Sequence, residues 1–214
     1  MNYVFCILIG YLIGSINPSY LIAKIKGFDI RKRGSGNAGA SNALILFGKV
    51  FGVSCALFDI AKATAAIHLC VFLFPELSYA FSVTAVFAVI GHIFPFYMRF
   101  KGGKGLACLG GTILAFDWRV FLIMLACEIV LAVAINYICF VPLTACVIFP
   151  VVYGLMSKDL WGTAILCGMI PVIFYKHIEN FGRIKRGTEA RLSFLWNKQK
   201  ELDRMNITDP TVER

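Results

Sequence analysis

The stretch Lys101-Gly102-Gly103-Lys104-Gly105 sets two cations and three glycines between apolar runs. Glycine carries no Cβ, so a ligand can approach the backbone and successive N–H groups can turn toward one oxyanion while two ammonium groups supply charge. That is chemistry for phosphate. The apolar run resumes at Leu106, which predicts that Gly102, Gly103 and Gly105 lead into a helix N-terminus, where free amides and the positive dipole end favour an anion. The spacing is not the Walker pattern, and no Ser or Thr follows Lys104 to hold magnesium. A basic loop anchoring a membrane segment has the same residue types, so this stretch alone leaves both readings open.

Two further stretches are rich in polar donors. Gly34-Ser35-Gly36-Asn37-Ala38-Gly39-Ala40-Ser41-Asn42 alternates glycine with hydroxyl and amide side chains. It is a poor helix and a poor anchor, and it reads as a binding loop rather than a flexible linker. Near the other end, His177, Asn180 and Arg183 recur every third residue. If the preceding helix continues through them, an ionisable base, an amide and a guanidinium stack on one face.

The elements that must position these residues are membrane spans. Of the 214 residues, 59% are hydrophobic and the mean hydropathy is +0.77, against roughly 45–50% apolar residues in soluble domains. The net charge of +9 does not point to nucleic acid, because the cations cluster beside apolar runs as the positive-inside bias requires. Met1 to Ala23 is free of charge and has no basic leader or small-residue cleavage site, so it reads as a retained first span. Lys24, Lys26, Arg31, Lys32 and Arg33 follow it, which puts the N-terminus outside and the Gly34–Asn42 loop in the cytosol.

Val50 to Phe74 and Tyr79 to Met98 form the next spans, the first holding Asp59 and Lys62 on one helical face and the second holding His92 near its inner end. Asp59 and Lys62 read chiefly as a structural ion pair, and His92 as a packing or capping residue near the site. Gly105 to Phe116 is short for a crossing and fits a half-helix. Val120 to Met156 is too long for one helix and divides near Asn136 to Pro142; Glu128 within it is either a functional acid or a structural one, protonated or paired with Lys62. Leu160 to Tyr175 is the seventh span, with a cytosolic C-terminus beyond it. Only Arg119 and Lys158 then fall outside and Lys62 within a span, so all three polar stretches face the cytosol. The eight cysteines lie in or beside apolar runs without C-x-x-C spacing and read as reduced thiols, with no metal site expected. Phe194 to Arg204 suits an interfacial amphipathic helix, and residues 205–214 a disordered end.

Three ordered motifs carry a resemblance. Gly34-Ser35-Gly36-Asn37-x-Gly39-Ala40-Ser41-Asn42, the run from Gly91-His92 through Pro95 and Phe100 to Lys101-Gly102-Gly103-Lys104-Gly105, and His177-x-x-Asn180-x-x-Arg183 with Gly187-Thr188-Glu189 resemble the bacterial acyl-phosphate:glycerol-3-phosphate acyltransferases. Tyr11 to Ile16, Asp59 and Lys62 extend the likeness over most of the first 190 residues. The resemblance implies an all-α, seven-helix enzyme of the bacterial inner membrane. It would pass a fatty acyl group from acyl phosphate to the 1-hydroxyl of glycerol 3-phosphate, giving lysophosphatidic acid and phosphate, without coenzyme A, acyl carrier protein or another cofactor. It makes Ser35, Lys104, His177 and Asn180 central, with His177 a base or a phosphate ligand. Gly34, Gly36, Asn37, Gly39, Asn42, Lys101, Gly102, Gly103, Gly105, Arg183 and Glu189 would line the substrates. Residues 1–190 would form the catalytic membrane domain and 191–214 a basic cytosolic tail, with membrane lipid as the surrounding partner.

Three positions depart from that family's pattern: Ile45 and Asn136 stand where an Arg is usual, and Cys108 where a Thr is usual. A guanidinium lost from a double-phosphate site costs about 1.5–3 kcal/mol, roughly ten- to a hundredfold in affinity. A divergent paralogue that binds phosphorylated ligands or phospholipid without catalysis, or with another acceptor, is therefore the competing expectation.

Overall fold

The computed structural model describes residues 2–189 and 191–204, and every regular element among them is helical. The first apolar run is broken. Helices α1 (Asn2–Ser15) and α2 (Pro18–Ile25) meet at 43°, because Pro18 has no N–H to continue α1 and Asn17 starts the new helix by accepting from the Tyr20 amide at 2.8 Å. The single first span expected over Met1 to Ala23 is thus a bent pair. A short helix that the sequence reading missed, α3 (Ala40–Phe47), precedes α4 (Lys49–Leu73), which is joined to it through Gly48 in a positive-φ conformation.

The remaining helices are α5 (Ala80–Ile93), α6 (Leu106–Phe116), α7 (Trp118–Ile135), α8 (Val141–Ser157), α9 (Leu160–Cys167) and α10 (Met169–Lys185), with α11 (Lys198–Arg204) in the tail. Five stretches are long and apolar enough to cross a membrane, namely Lys49–Leu73, Ala80–Met98, Trp118–Ile135, Ile138–Ser157 and Leu160–Lys185; the bent α1–α2 pair makes a sixth. The 11-residue α6 occupies the place of the expected half-helix. The tight turns are capped by acids. Asp117 accepts from the Arg119 and Val120 amides to start α7, and Asp159 accepts from Gly162 N–H to start α9. The division of the long apolar run falls at Asn136 to Phe140, as its length demanded.

Small residues set the closest packing. A Cβ on Gly14 of α1 would lie 2.2 Å from the Ala88 carbonyl oxygen of α5, and one on Gly91 would lie 2.2 Å from that of Tyr11. Backbone therefore meets backbone along α1 and α5, as small-residue seams allow in membranes. Leu109, Phe149, Leu166, Met169 and Ile173 fill the core between α5, α6, α8, α9 and α10. Phe72, Ile123, Val130, Leu155 and Leu160 point outward, a distribution suited to lipid rather than water.

Candidate active site

The Lys101–Gly105 loop folds back on the end of α5. Arg99 and Phe100 both adopt left-handed backbone, reversing the chain after a 3₁₀ turn at Phe96–Met98. Gly102 N–H then donates to the Ile93 carbonyl at 3.0 Å and Gly103 N–H to the His92 carbonyl at 3.1 Å. These two amides are therefore not the free oxyanion donors expected from the sequence. Their glycines are needed for space, since a Cβ on Gly102 would sit 2.2 Å from the His92 carbonyl and one on Gly103 would sit 2.0 Å from the His92 imidazole. Gly105, at φ +91°, starts α6. Lys101 is exposed and Lys104 half-buried.

Lys104 is where two distant motifs meet: its ammonium donates to Asn180 Oδ1 at 2.5 Å. Asn180 donates in turn to Glu189 Oε1 at 2.6 Å, and Arg183 Nε donates to Glu189 Oε2 at 2.7 Å. Helix α10 continues through residues 177–183, so His177, Asn180 and Arg183 do share a face, with His177 and Asn180 buried. Burial, reinforced by the Arg183 charge and opposed by Glu189, pulls the Lys104 ammonium down to about 8. His177 Nδ1 lies 2.8 Å from the Ile173 carbonyl. A carbonyl only accepts, so Nδ1 carries the hydrogen, and in the neutral ring Nε2 keeps its lone pair.

The first motif is organised around Asn42, which is fully buried in α3. Its Oδ1 accepts from the Ser35 amide at 2.8 Å, and its Nδ2 donates to the Ile30, Arg33 and Asn37 carbonyls within 3.0 Å. Asn42 thus shapes the loop that presents Ser35 and Asn37, both half-exposed. Gly34 and Gly36 hold positive φ there, and Gly39 starts α3. Ile45 is buried on the same helix.

Arg31, which the sequence reading counted only among the inside charges, straps this loop to the second. Its guanidinium donates to the Met98 carbonyl at 2.5 Å and reaches the Lys101 carbonyl at 3.4 Å. Asp29 steadies it through paired bonds, and the adjacent guanidinium holds the Asp29 carboxyl down to about 2. The Asp29-x-Arg31 spacing was the only signal of this in the sequence.

Beneath the loops, Asp59 and Lys62 pair at 2.6 Å, and His92 Nδ1 lies 3.2 Å from the Lys62 ammonium. Lys62 also donates to the Ile16 carbonyl, which the α1–α2 break leaves without a helical partner. The ion pair joins that break to α4 and to the His92 that underlies Gly103. Asp59, His92 and Cys108 offer ligand atoms within 4.8 Å of one another, but the Lys62 ammonium already supplies the positive charge there and would repel a metal ion. Glu128 is not paired with Lys62; it lies 2.9 Å from the Thr144 hydroxyl. Asn136 caps α7 in left-handed backbone, accepting from Leu192 N–H at its carbonyl and from Ser193 N–H at its side chain.

Fold and cluster together define a helical integral membrane protein that gathers cations, amides and a histidine at one end of its bundle. A family profile described as glycerol-3-phosphate acyltransferase matches residues 4–187, and the chain belongs to that family. It is 38% identical over 209 residues to glycerol-3-phosphate acyltransferase 1 of Oceanobacillus iheyensis, covering 93% of this chain and 99% of that one. The identity to glycerol-3-phosphate acyltransferase 2 of Thermotoga maritima is 35%, over 87% and 94% of the two chains. Its fold is similar to crystal structures of PlsY, an integral membrane glycerol 3-phosphate acyltransferase. The glycerol 3-phosphate form gives a TM-score of 0.82 at 30% identity, covering 91% of this chain and 98% of that one. The lysophosphatidic acid form gives 0.78 at 29%, covering 89% and 95%.

Proposed function

We propose that this membrane acyltransferase takes acyl phosphate as donor and glycerol 3-phosphate as acceptor, releasing lysophosphatidic acid and inorganic phosphate. The observation that carries this reading is the junction of Lys104 with Asn180, because it joins the cation of the second motif to the α10 face that also bears His177 and Arg183. Both substrates are phosphate anions, and Lys104, Lys101 and Arg183 neutralise them while the Ser35 and Asn37 side chains orient them. The bond between acyl carbon and phosphate oxygen breaks as the glycerol oxygen bonds that carbon. The hydroxyl proton passes to His177 Nε2 or to the departing phosphate. A mixed anhydride is already activated, so positioning and charge suffice without a covalent serine intermediate or a cofactor.

The chain runs in seven spans, with α6 as the short one, the N-terminus outside and the C-terminus in the cytosol of a bacterial cell. Residues 1–190 carry catalysis at the inner face, and 191–214 are a cytosolic tail. The positive-inside distribution of Lys and Arg supports this orientation. The test is phosphate release from acyl phosphate by the purified protein. Release is expected only with glycerol 3-phosphate present, and Lys104→Ala is expected to abolish it. A well-folded wild type without turnover defeats the reading. The buried Ile45 favours a second one, binding of glycerol 3-phosphate without transfer; transfer appearing only in Ile45→Arg would establish it.

A further inference from the structure

The tail is built into the site. Glu189 is buried and orients Asn180 by accepting from its Nδ2, which leaves Oδ1 for Lys104. Glu189 lies beyond α10, after Gly187 in left-handed backbone, so α10 holds its carboxylate through Asn180 and Arg183 while its backbone is held by the tail. The Arg204 guanidinium donates to the Gly187 and Glu189 carbonyls and pairs with Glu201 at 2.6 Å. Glu201, itself buried, accepts from the Ser193 hydroxyl at 2.8 Å. Ser193 and Leu192 are held by Asn136 on the α7–α8 turn, and Arg191 reaches the Tyr137 hydroxyl at 3.4 Å. Leu202 is fully buried beside these contacts.

We propose that residues 191–204 form a clamp and that Arg204 is a positioning residue, setting Glu189 and through it Asn180 and Lys104. The clamp explains Asn136, which departs from the family pattern: its side chain and carbonyl dock the tail. The inference rests on the acyl-transfer reading for its kinetic readout and on hydrogen-bond geometry for its substance. A planar fork serves two carbonyls and a carboxylate at once, which an ammonium cannot match.

The experiment compares full-length wild type, Arg204→Ala and Arg204→Lys across pH. A site loosened by about an ångström loses up to about a hundredfold in rate, so Arg204→Ala is expected to lose between about ten- and a hundredfold in turnover, with Arg204→Lys only partly restoring it. A purely structural tail would leave the pH profile alone. Here, withdrawing Glu189 removes the carboxylate that supports charge on Lys104, so the alkaline limb moves to lower pH. The groups facing Lys104 are Arg183, Glu189, Glu179, Cys139 and His177, and among them only Glu189 is held by Arg204. Wild-type turnover in Arg204→Ala, or lost turnover with an unmoved alkaline limb, overturns the proposal. Should Arg204→Ala not fold, Asn136→Gly removes the side-chain bond to Ser193 at the other end of the clamp while keeping the left-handed cap, and the same shift decides. Should wild type not turn over, the acyl-transfer reading falls, and calorimetric glycerol 3-phosphate binding over the same pH series tests the clamp by itself.

Discussion

Lys104 is the residue on which charge and geometry meet. With its ammonium at about 8, Lys104 is protonated well below that value and neutral well above it. Glycerol 3-phosphate binding is therefore expected to hold steady up to neutral pH and to weaken about tenfold per unit well above 8, with proton uptake on binding in that range measurable by calorimetry in two buffers. Stability has the opposite slope. The unfolded lysine near 10.5 holds a proton that the folded one has released, so the fold gains stability as pH rises from about 8 toward 10.5. Lys104, His177, Asn180 and Arg183 were legible because charge and helical spacing are properties of sequence, whereas Glu189, beyond the end of α10, came only from the resemblance. The amides of Gly102 and Gly103 were not, since their carbonyl partners on α5 appear only once the loop folds back. Asn42 was legible as a polar loop residue but not as its hub. Asn42→Asp would face a carboxylate toward three carbonyls, and leaving those bonds unmade costs about 1–3 kcal/mol. A lowered melting temperature with loss of turnover is expected, whereas a wild-type melting curve would show that the loop forms without the Asn42 amide.

At the level of elements, the break between α1 and α2 and the Asp59–Lys62–His92 cluster explain one another. Pro18 interrupts the helix, the freed Ile16 carbonyl takes the Lys62 ammonium, and Asp59 compensates that buried charge. Removing one partner of a buried pair costs about 3–5 kcal/mol, whereas replacing both with apolar groups is far milder. Asp59→Ala is thus expected to lower the melting temperature sharply in detergent, and Asp59→Ala with Lys62→Met to recover much of the loss. A double variant no better than the single would show that Lys62 stabilises chiefly through Ile16. The sequence placed Asp59 and Lys62 on one face but gave no sign of their third partner, because a backbone carbonyl freed by a helix break has no residue type.

On the scale of the whole molecule, the five long apolar spans, the α1–α2 pair and the short apolar α6 were readable from hydropathy, and the α1–α2 bend was not. Helix α3 was hidden because its first residues, Ala40, Ser41 and Asn42, belong to the small-residue loop, and the docking of the tail because its partners Asn136 and Tyr137 are far away in sequence. Orientation is open to direct measurement. In a cysteine-free background, a membrane-impermeant thiol reagent applied to intact cells is expected to label Arg119→Cys and Lys158→Cys, and to label Lys26→Cys and Lys185→Cys only after permeabilisation. The reverse pattern would invert the proposed topology.

The backbone-to-backbone seam between Gly14, Ala88 and Gly91 carries a consequence for biogenesis. Helix α1 leaves the ribosome early, yet its mate is completed only after residue 91 has been made. Until then the nascent first helix has no partner for its glycine face, and the Arg31 strap on the Ser35 loop has no anchor before Met98 and Lys101 are made.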